Sequence, residues 1–348
     1  MKFYYLFFCI IITKILSASP FIWAADYLNN RVLVIDAATN TIFQTIPQST
    51  GLFDHPVSVA ITPDGLFAYV FNGTTGSNHT TVSVINTATY QRTALISFTG
   101  LGNRSTTSGS IAISPNGEFA YITNGTRGTL NILDISTNSL VHTTGVFSSP
   151  QGIAFSPDSA FAYVADTLGN QVYRIDTSTY TITTPFTGVT FSEPVQIAIT
   201  SDGFFAYVTN LQPLSSKVSV LNLTDNTETA AIPLDSAQGI VLSPDGSNVY
   251  VSGIAVSKIF IIDTLTNTLV KSISKPDFQT PNPLAIHPNG NILYIANIFG
   301  PILAFNTSTT TVIATVPNTA GGEYDYSSLA IQPSGKARAF ARPSNRRP

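Results

Sequence analysis

The sequence predicts an all-β ring of repeated four-stranded units, and three observations carry that prediction. One stretch recurs six times: VAITPDGLFAYVFN at 59–72, IAISPNGEFAYITN at 111–124, IAFSPDSAFAYVAD at 153–166, IAITSDGFFAYVTN at 197–210, IVLSPDGSNVYVSG at 240–253 and LAIHPNGNILYIAN at 284–297. Its aromatic sets a period: Tyr69, Tyr121, Tyr163, Tyr207, Tyr250 and Tyr294 follow one another at steps of 52, 42, 44, 43 and 44 residues. Each copy is followed by further short apolar runs divided by polar turn residues. A period in the forties, filled with short strands, is the signature of a β-propeller.

Each copy opens on a short run such as Ile197-Ala198-Ile199, whose large aliphatics alternate with a small residue at the period of a strand. Pro-Asp-Gly or Pro-Asn-Gly follows, as at Pro63-Asp64-Gly65, Pro115-Asn116-Gly117 and Pro244-Asp245-Gly246. Proline presets φ, Asp and Asn bond their own backbone, and Gly accepts positive φ, so this is a hairpin turn. The second strand is of the Ala-Tyr-Val-Thr-Asn type. A third follows a polar gap: VSVIN at 82–86, LNILD at 130–134, VYRID at 172–176, VSVLN at 218–222 and KIFII at 258–262. Asx-Thr punctuation, such as Asp176-Thr177-Ser178-Thr179, leads to a weaker fourth strand, for example 268–273. Four antiparallel strands make one blade.

The ends decide the blade count. FIWAADYLNNRVLVID at 21–36 aligns with FAYVADTLGNQVYRID at 161–176, so Trp23 takes the tyrosine position and the chain enters at a second strand. At the far end, 327–333 reads as a first strand with nothing complete after it. Joined to the N-terminal strands, it makes a seventh blade and removes a free sheet edge. The expectation is a seven-bladed propeller over 19–335. It is flanked by a secretory signal at 1–18, with its apolar core at 3–12 and small residues Ser17-Ala18, and by a basic tail at 336–348.

The repeats resemble the YVTN-type β-propeller family, which includes YncE-like periplasmic and surface-layer-like exported proteins and, more distantly, lactonase-type propellers. The S/T-P-D/N-G turn and Tyr-Val-Thr-Asn, verbatim at 207–210, carry the resemblance over nearly all of 21–335. It implies an exported propeller. It implies no particular reaction, because one fold hosts many functions.

Composition narrows the chemistry. Cys9 is the only cysteine and lies in the signal, so the mature chain has no cysteine for a disulfide, a zinc site or haem attachment. Charged residues are 10% of the chain, and Thr, Ser and Asn fill the polar faces. Residues 19–335 hold nine basic and nineteen acidic side chains, a net of −10. An acidic body argues against nucleic acid. Lys336, Arg338, Arg342, Arg346 and Arg347 make the tail basic, suited to lie near that body or to meet an anionic surface. The four histidines show no metal-ligand spacing, and no nucleophile elbow or P-loop is present. Turn chemistry explains Asp64, Asp158, Asp202 and Asp245 without calcium. N-x-S/T sequons at Asn72, Asn78, Asn103, Asn124, Asn222 and Asn306 arise from the same Asn- and Thr-rich turns.

A site must lie where blades differ. Eight residues before the turn proline, where the chain enters the innermost strand, stand His55, Thr107, Ser149, Glu193, Ser236, Thr280 and Asp325. Ring closure makes the blades of Asp325 and His55 neighbours, with Glu193 across the ring. These three are the weak catalytic candidates, since a histidine beside carboxylates can exchange protons or hold a cation; ordinary polar loop residues are the alternative. Gln151, Gln238 and Asn282 two residues further on, with Gln196, are ligand-binding candidates at the mouth. Arg104, Arg127 and Arg174 could neutralise an anion, and the loop at 98–110 is the longest connection. The expected function is a monomeric, exported, non-catalytic binding or surface protein without metal or cofactor, whose partner is another protein or a surface polymer. The alternative is a lactonase-like hydrolase or a metal-assisted lyase at the channel mouth.

Overall fold

The computed structural model describes residues 20–47, 52–73, 80–98, 108–317 and 325–333. The expected signal at 1–18, the tail at 336–348, most of the loop at 98–110, and Thr107, Arg104, His79, Asn78 and Asn103 lie outside the described residues. Among the described residues, strands β1 to β28, numbered in chain order, form seven antiparallel sheets of four. Blade I joins β28 (Tyr326–Ile331) to β1 (Phe21–Asp26) and the two strands after it. Blades II to VII take the remaining strands four at a time.

Closure is as the sequence predicts. Strand β28 pairs with β1 in the register Trp23↔Ala330 and Ala24↔Leu329. It also touches the innermost strands on either side, β24 (Pro281–Ile286) of blade VII and β4 (Pro56–Ile61) of blade II. Two strands are stunted. Innermost β8 of blade III is only Ile111–Ile113, and outermost β15 of blade IV only Ile182–Thr183, where Pro185 offers no N–H to extend the ladder.

The core is divided among the interfaces. Seven apolar clusters each straddle two adjacent blades; one packs Tyr69 and Phe71 of blade II against Ala120 and Ile122 of blade III. No blade has a sheet-on-sheet core of its own, so burial is gained only by stacking on a neighbour.

The repeated motif supplies the polar joints of that stack. The tyrosine hydroxyl crosses to the next blade, where it donates to an asparagine in the turn between third and fourth strands. The pairs are Tyr69 to Asn138 at 2.7 Å, Tyr207 to Asn267 at 2.6 Å and Tyr294 to Asn40 at 2.8 Å. Those asparagines have φ between 52° and 55°, the left-handed region that asparagine tolerates. Tyr180 holds that place in blade IV, and the buried Tyr121 hydroxyl facing it has no hydrogen-bond partner among the described residues. The motif threonine staples inner strands: Thr209 Oγ1 accepts from the Gln196 N–H and donates to the Gln238 carbonyl of the next blade. The motif asparagine mostly bonds close to its own strand, although Asn124 Nδ2 reaches Thr80 Oγ1 of blade II. Asn210, fully buried, donates to the Val208 carbonyl and accepts from the Ser192 N–H.

Trp23 breaks the pattern at the seam. Its indole Nε1 donates to Gln332 Oε1 at 3.2 Å, and Gln332 Nε2 donates to the Gly65 carbonyl of blade II at 2.9 Å. A glutamine after β28 thus relays what a tyrosine does directly elsewhere.

Candidate functional site

The first-strand entries and the turns from second to third strands share one face of the disc, because alternate strands of a meander turn on alternate faces. The S/T-P-D/N-G turns occupy the other face. There Thr62 donates to Asp64, and Ser243 to Asp245 at 2.5 Å, while each carboxylate also accepts a backbone N–H. Hydroxyl donation first, then backbone N–H donation, holds the Asp158, Asp202 and Asp245 carboxyls below their ordinary value. The turn aspartates serve the hairpin. Among the described residues, no group of three or more His, Asp or Glu side chains is arranged to hold a metal.

On the entry face, the position of His55, Ser149, Glu193, Ser236, Thr280 and Asp325 has a shared backbone task. Each carbonyl accepts the N–H of the residue just past the second strand: Gly73, Thr167, Leu211, Ile254, Ile298 and Tyr27 respectively, at 2.8–3.1 Å. His55, Glu193, Ser236 and Thr280 adopt φ of 52–60° to do so. A backbone task leaves the side chain free to vary, which explains the variety at this position without invoking chemistry.

His55 and Asp325 nonetheless lie in one polar cluster at the seam of blades I and II. His55 Nδ1 is 2.7 Å from Asp54 Oδ1, and its ring packs 4.9 Å from that of Tyr27. The Tyr27 N–H donates to the Asp325 carbonyl at 3.0 Å. Burial, then Asp325, then Asp54 raise the Tyr27 hydroxyl above its ordinary pKa. Burial and the neighbouring Asp26 raise the Asp325 carboxyl in turn. Asp26, fully buried, is paired with Arg31 at 2.7 Å. No hydrogen bond joins His55 to Asp325 among the described residues; Tyr27 stands between them.

Glu193 is three blades away, in blade V. Its N–H donates to Asn170 and its carbonyl accepts from Leu211. It does not join the seam cluster. Tyr27 and Asp54 are the residues sequence reasoning missed. The signal for Tyr27 was available, because the other blades place Gly73, Gly125, Thr167, Leu211, Ile254 and Ile298 at its position.

The amide candidates sit on consecutive innermost strands: Gln151 on β12 (Pro150–Phe155), Gln196 on β16 (Pro194–Ile199), Gln238 on β20 (Ala237–Leu242) and Asn282 on β24. Glycines let them lean on the preceding blade. A Cβ on Gly152 would fall 2.8 Å from Gln196 Oε1, and one on Gly239 2.8 Å from Asn282 Oδ1. An arc of neutral donors and acceptors, spanning four blades, borders the entry end of the inner strands.

A family model for lactonases of the seven-bladed β-propeller type matches residues 56–199, from the start of β4 to the end of β16. The resemblance is to lactonase-type propellers over three blades and one inner strand. The uncharacterized protein YwhL of Bacillus subtilis (strain 168) is 25% identical over 328 residues, covering 89% of this chain. This chain spans 66% of the length of YwhL. A functionally unknown protein from Desulfotomaculum acetoxidans DSM 771 superposes with a TM-score of 0.72 at 22% identity, over 90% of this chain and 99% of its own. A candidate 6-phosphogluconolactonase from Bacteroides uniformis ATCC 8492 gives 0.69 at 18% identity, over 90% and 99%. At such identities the two solved structures speak for the fold.

Proposed function

We propose that the protein is an exported, YVTN-type propeller that binds a neutral, hydrogen-bonding polymer, either a surface glycan or an extended peptide segment, at the entry mouth of its channel. The amide arc of Gln151, Gln196, Gln238 and Asn282 carries this reading. Four uncharged side chains on neighbouring inner strands offer paired donors and acceptors at no cost of burying charge. The polar composition, with 10% charged residues, suits the same partner class. The carboxylates and histidine named as acid–base candidates support it less, since Glu193 stands apart from the seam cluster.

Arrays of neutral glycans and of peptides test it. The expected result is a ligand held by the full chain and lost at least tenfold in the Gln151→Leu/Gln238→Leu double variant. Retention of full affinity by that variant refutes the amide arc.

A second reading is favoured by the lactonase family match and by the Tyr27–His55–Asp54–Asp325 cluster: lactone hydrolysis at the seam of blades I and II. Assay with glucono-1,5-lactone, with and without added divalent cations, decides it. Turnover that falls at least a hundredfold in His55→Ala and Asp325→Asn establishes the enzyme; no turnover above the solvent rate removes it.

A further inference from the structure

One groove on the turn face departs from its repeats. It lies between blades II and III, a cavity of about 490 Å³ walled by Pro63, Asp64, Phe67 and Tyr69 on one side and by Asn116 and Ile135 on the other. The matching groove between blades VI and VII has Asn248 in place of Phe67 and Thr307 in place of Ile135. Phe67 and Ile135 are both partly exposed, so the groove of blades II and III has an apolar floor open to solvent.

Carboxylates ring that floor. Asp64, exposed, is itself a wall. Asn116 Nδ2 donates to Glu118 Oε2 at 2.8 Å, and Ser136 Oγ to Asp134 Oδ1 at 2.6 Å, which sets two more acids on the opposite rim. Burial, then Asp134, then Asp64 push the Tyr69 hydroxyl up to about 12, so both charges bear on the same wall. Asp64 and Asp134 spend Oδ1 on their own turns, and Oδ2 of each takes no hydrogen bond among the described residues. No Lys or Arg lines the groove among the described residues. Blade VII places neutral Asn291 and Asn306 where blade III has Glu118 and Asp134.

A cationic stretch of the chain starts beside this groove. Strand β28 leads to Gln332 and Pro333, and the Pro333 carbonyl packs on Gly65, where an added Cβ would come 3.2 Å from it. Gly65 belongs to the same turn as Pro63 and Asp64. Beyond Pro333, Lys336, Arg338, Phe340 and Arg342 alternate with Ala337, Ala339 and Ala341. Alternate residues of an extended chain share one side, so here three cations and an aromatic ring share it and the alanines take the other. At about 3.3–3.6 Å per residue, the stretch from Pro333 to Phe340 reaches up to about 25 Å, enough to cross one turn. We propose that residues 336–342 of the same chain lie extended in the groove between blades II and III, with Phe340 against Phe67 and Ile135 and the cations facing Asp64, Glu118 and Asp134. Blade IV offers an internal parallel: the Arg174 guanidinium lies 4.9 Å over Phe161, the residue that matches Phe67. Exposed ion pairs are individually weak, but a short tether presents the stretch at an effective concentration of about millimolar. The contact ties the chain leaving β28 across blade II onto blade III, on the face opposite the channel mouth, and is independent of what the mouth binds.

Two measurements on the full chain test it: limited trypsin digestion, which cuts after Lys336 and Arg338, and carbodiimide coupling of the Lys336 amine to neighbouring carboxylates. The frame accepts Asn at both aspartate positions, since Asn116 and Asn289 hold the first in other blades and Asn86, Asn222 and Asn306 the second. Digestion at both sites should quicken at least about fivefold in Asp64→Asn/Asp134→Asn and in Phe340→Ser. The gap between wild type and the double variant should narrow as salt is raised. Phe340→Ser alters no residue of the blades and carries the test should the double variant not fold. Coupling should join Lys336 to Asp64, Glu118 or Asp134 within monomers, at a yield that dilution does not change. Wild-type digestion as fast as that of both variants overturns the proposal, as does coupling of Lys336 chiefly to carboxylates of the entry face. Coupling found only in covalent dimers and lost on dilution assigns the groove to a second copy and overturns it equally.

Discussion

Gln332→Ala is the sharpest probe of how the ring is held shut. The wild-type side chain, 6% exposed, accepts from the Trp23 indole and donates to the Gly65 carbonyl, so it ties the last strand to blades I and II together. Truncation leaves the indole N–H of a fully buried tryptophan without its partner, while the Gly65 carbonyl keeps the donor Thr87 Oγ1 at 2.6 Å. An orphaned buried group costs about 1–3 kcal/mol, so Gln332→Ala should cost about that much, partly offset by the side-chain entropy released. That is a large share of the about 5–15 kcal/mol by which domains are stable. Trp23 is the only tryptophan, so urea unfolding followed by its fluorescence reads the seam itself. In Trp23→Phe the donor is gone, and Gln332→Ala should then cost about 1–2 kcal/mol less, a coupling measured by far-UV circular dichroism across the double-mutant cycle. A Gln332→Ala cost below about 0.5 kcal/mol, or an additive cycle, refutes the relay.

Two further outcomes are expected. Burial first, then Asp134 for Tyr69 and Asp263 for Tyr207, pushes both phenols up to about 12. The fold therefore favours the neutral phenol. This contribution is complete below pH 10, the ordinary tyrosine value, and is lost as pH rises towards about 12. Alkaline titration should show phenolate absorbance appearing together with unfolding, and Tyr207→Phe should blunt that pH dependence while costing about 1 kcal/mol at neutral pH through the lost bond to Asn267. Phenolate formation near pH 10 by Tyr207 itself, read as the difference between folded wild type and Tyr207→Phe, contradicts it. Gly152→Ala should destabilise by about 1–3 kcal/mol in thermal melts, because its Cβ would lie 2.5 Å from the Val195 carbonyl oxygen of the next inner strand. A wild-type melt would show that the inner strands are not in that contact.

The frame was legible because it is local and repeated. The turn, the alternation and the aromatic period are short-range patterns, and six copies with one displaced end leave a single way to close the ring. Two of the sequons illustrate the limit: Asn72 and Asn124 are both 1% exposed and build second-strand ends, which no reading of N-x-T reveals. His55, Glu193 and Asp325 were found by their variation, yet their shared duty is a backbone carbonyl, which sequence variation cannot report. The seam cluster depends on Tyr27, some three hundred residues from Asp325 in the chain. The sequence by itself determined the blade, from residues within one period, and the count and closing strand, from the number of copies and the incomplete repeat at each end. Only the tertiary structure decided which tyrosines find an asparagine, and that Gln332 relays for Trp23. Those depend on contacts between blades, where a side chain's partner is set by the neighbouring repeat and not by its own.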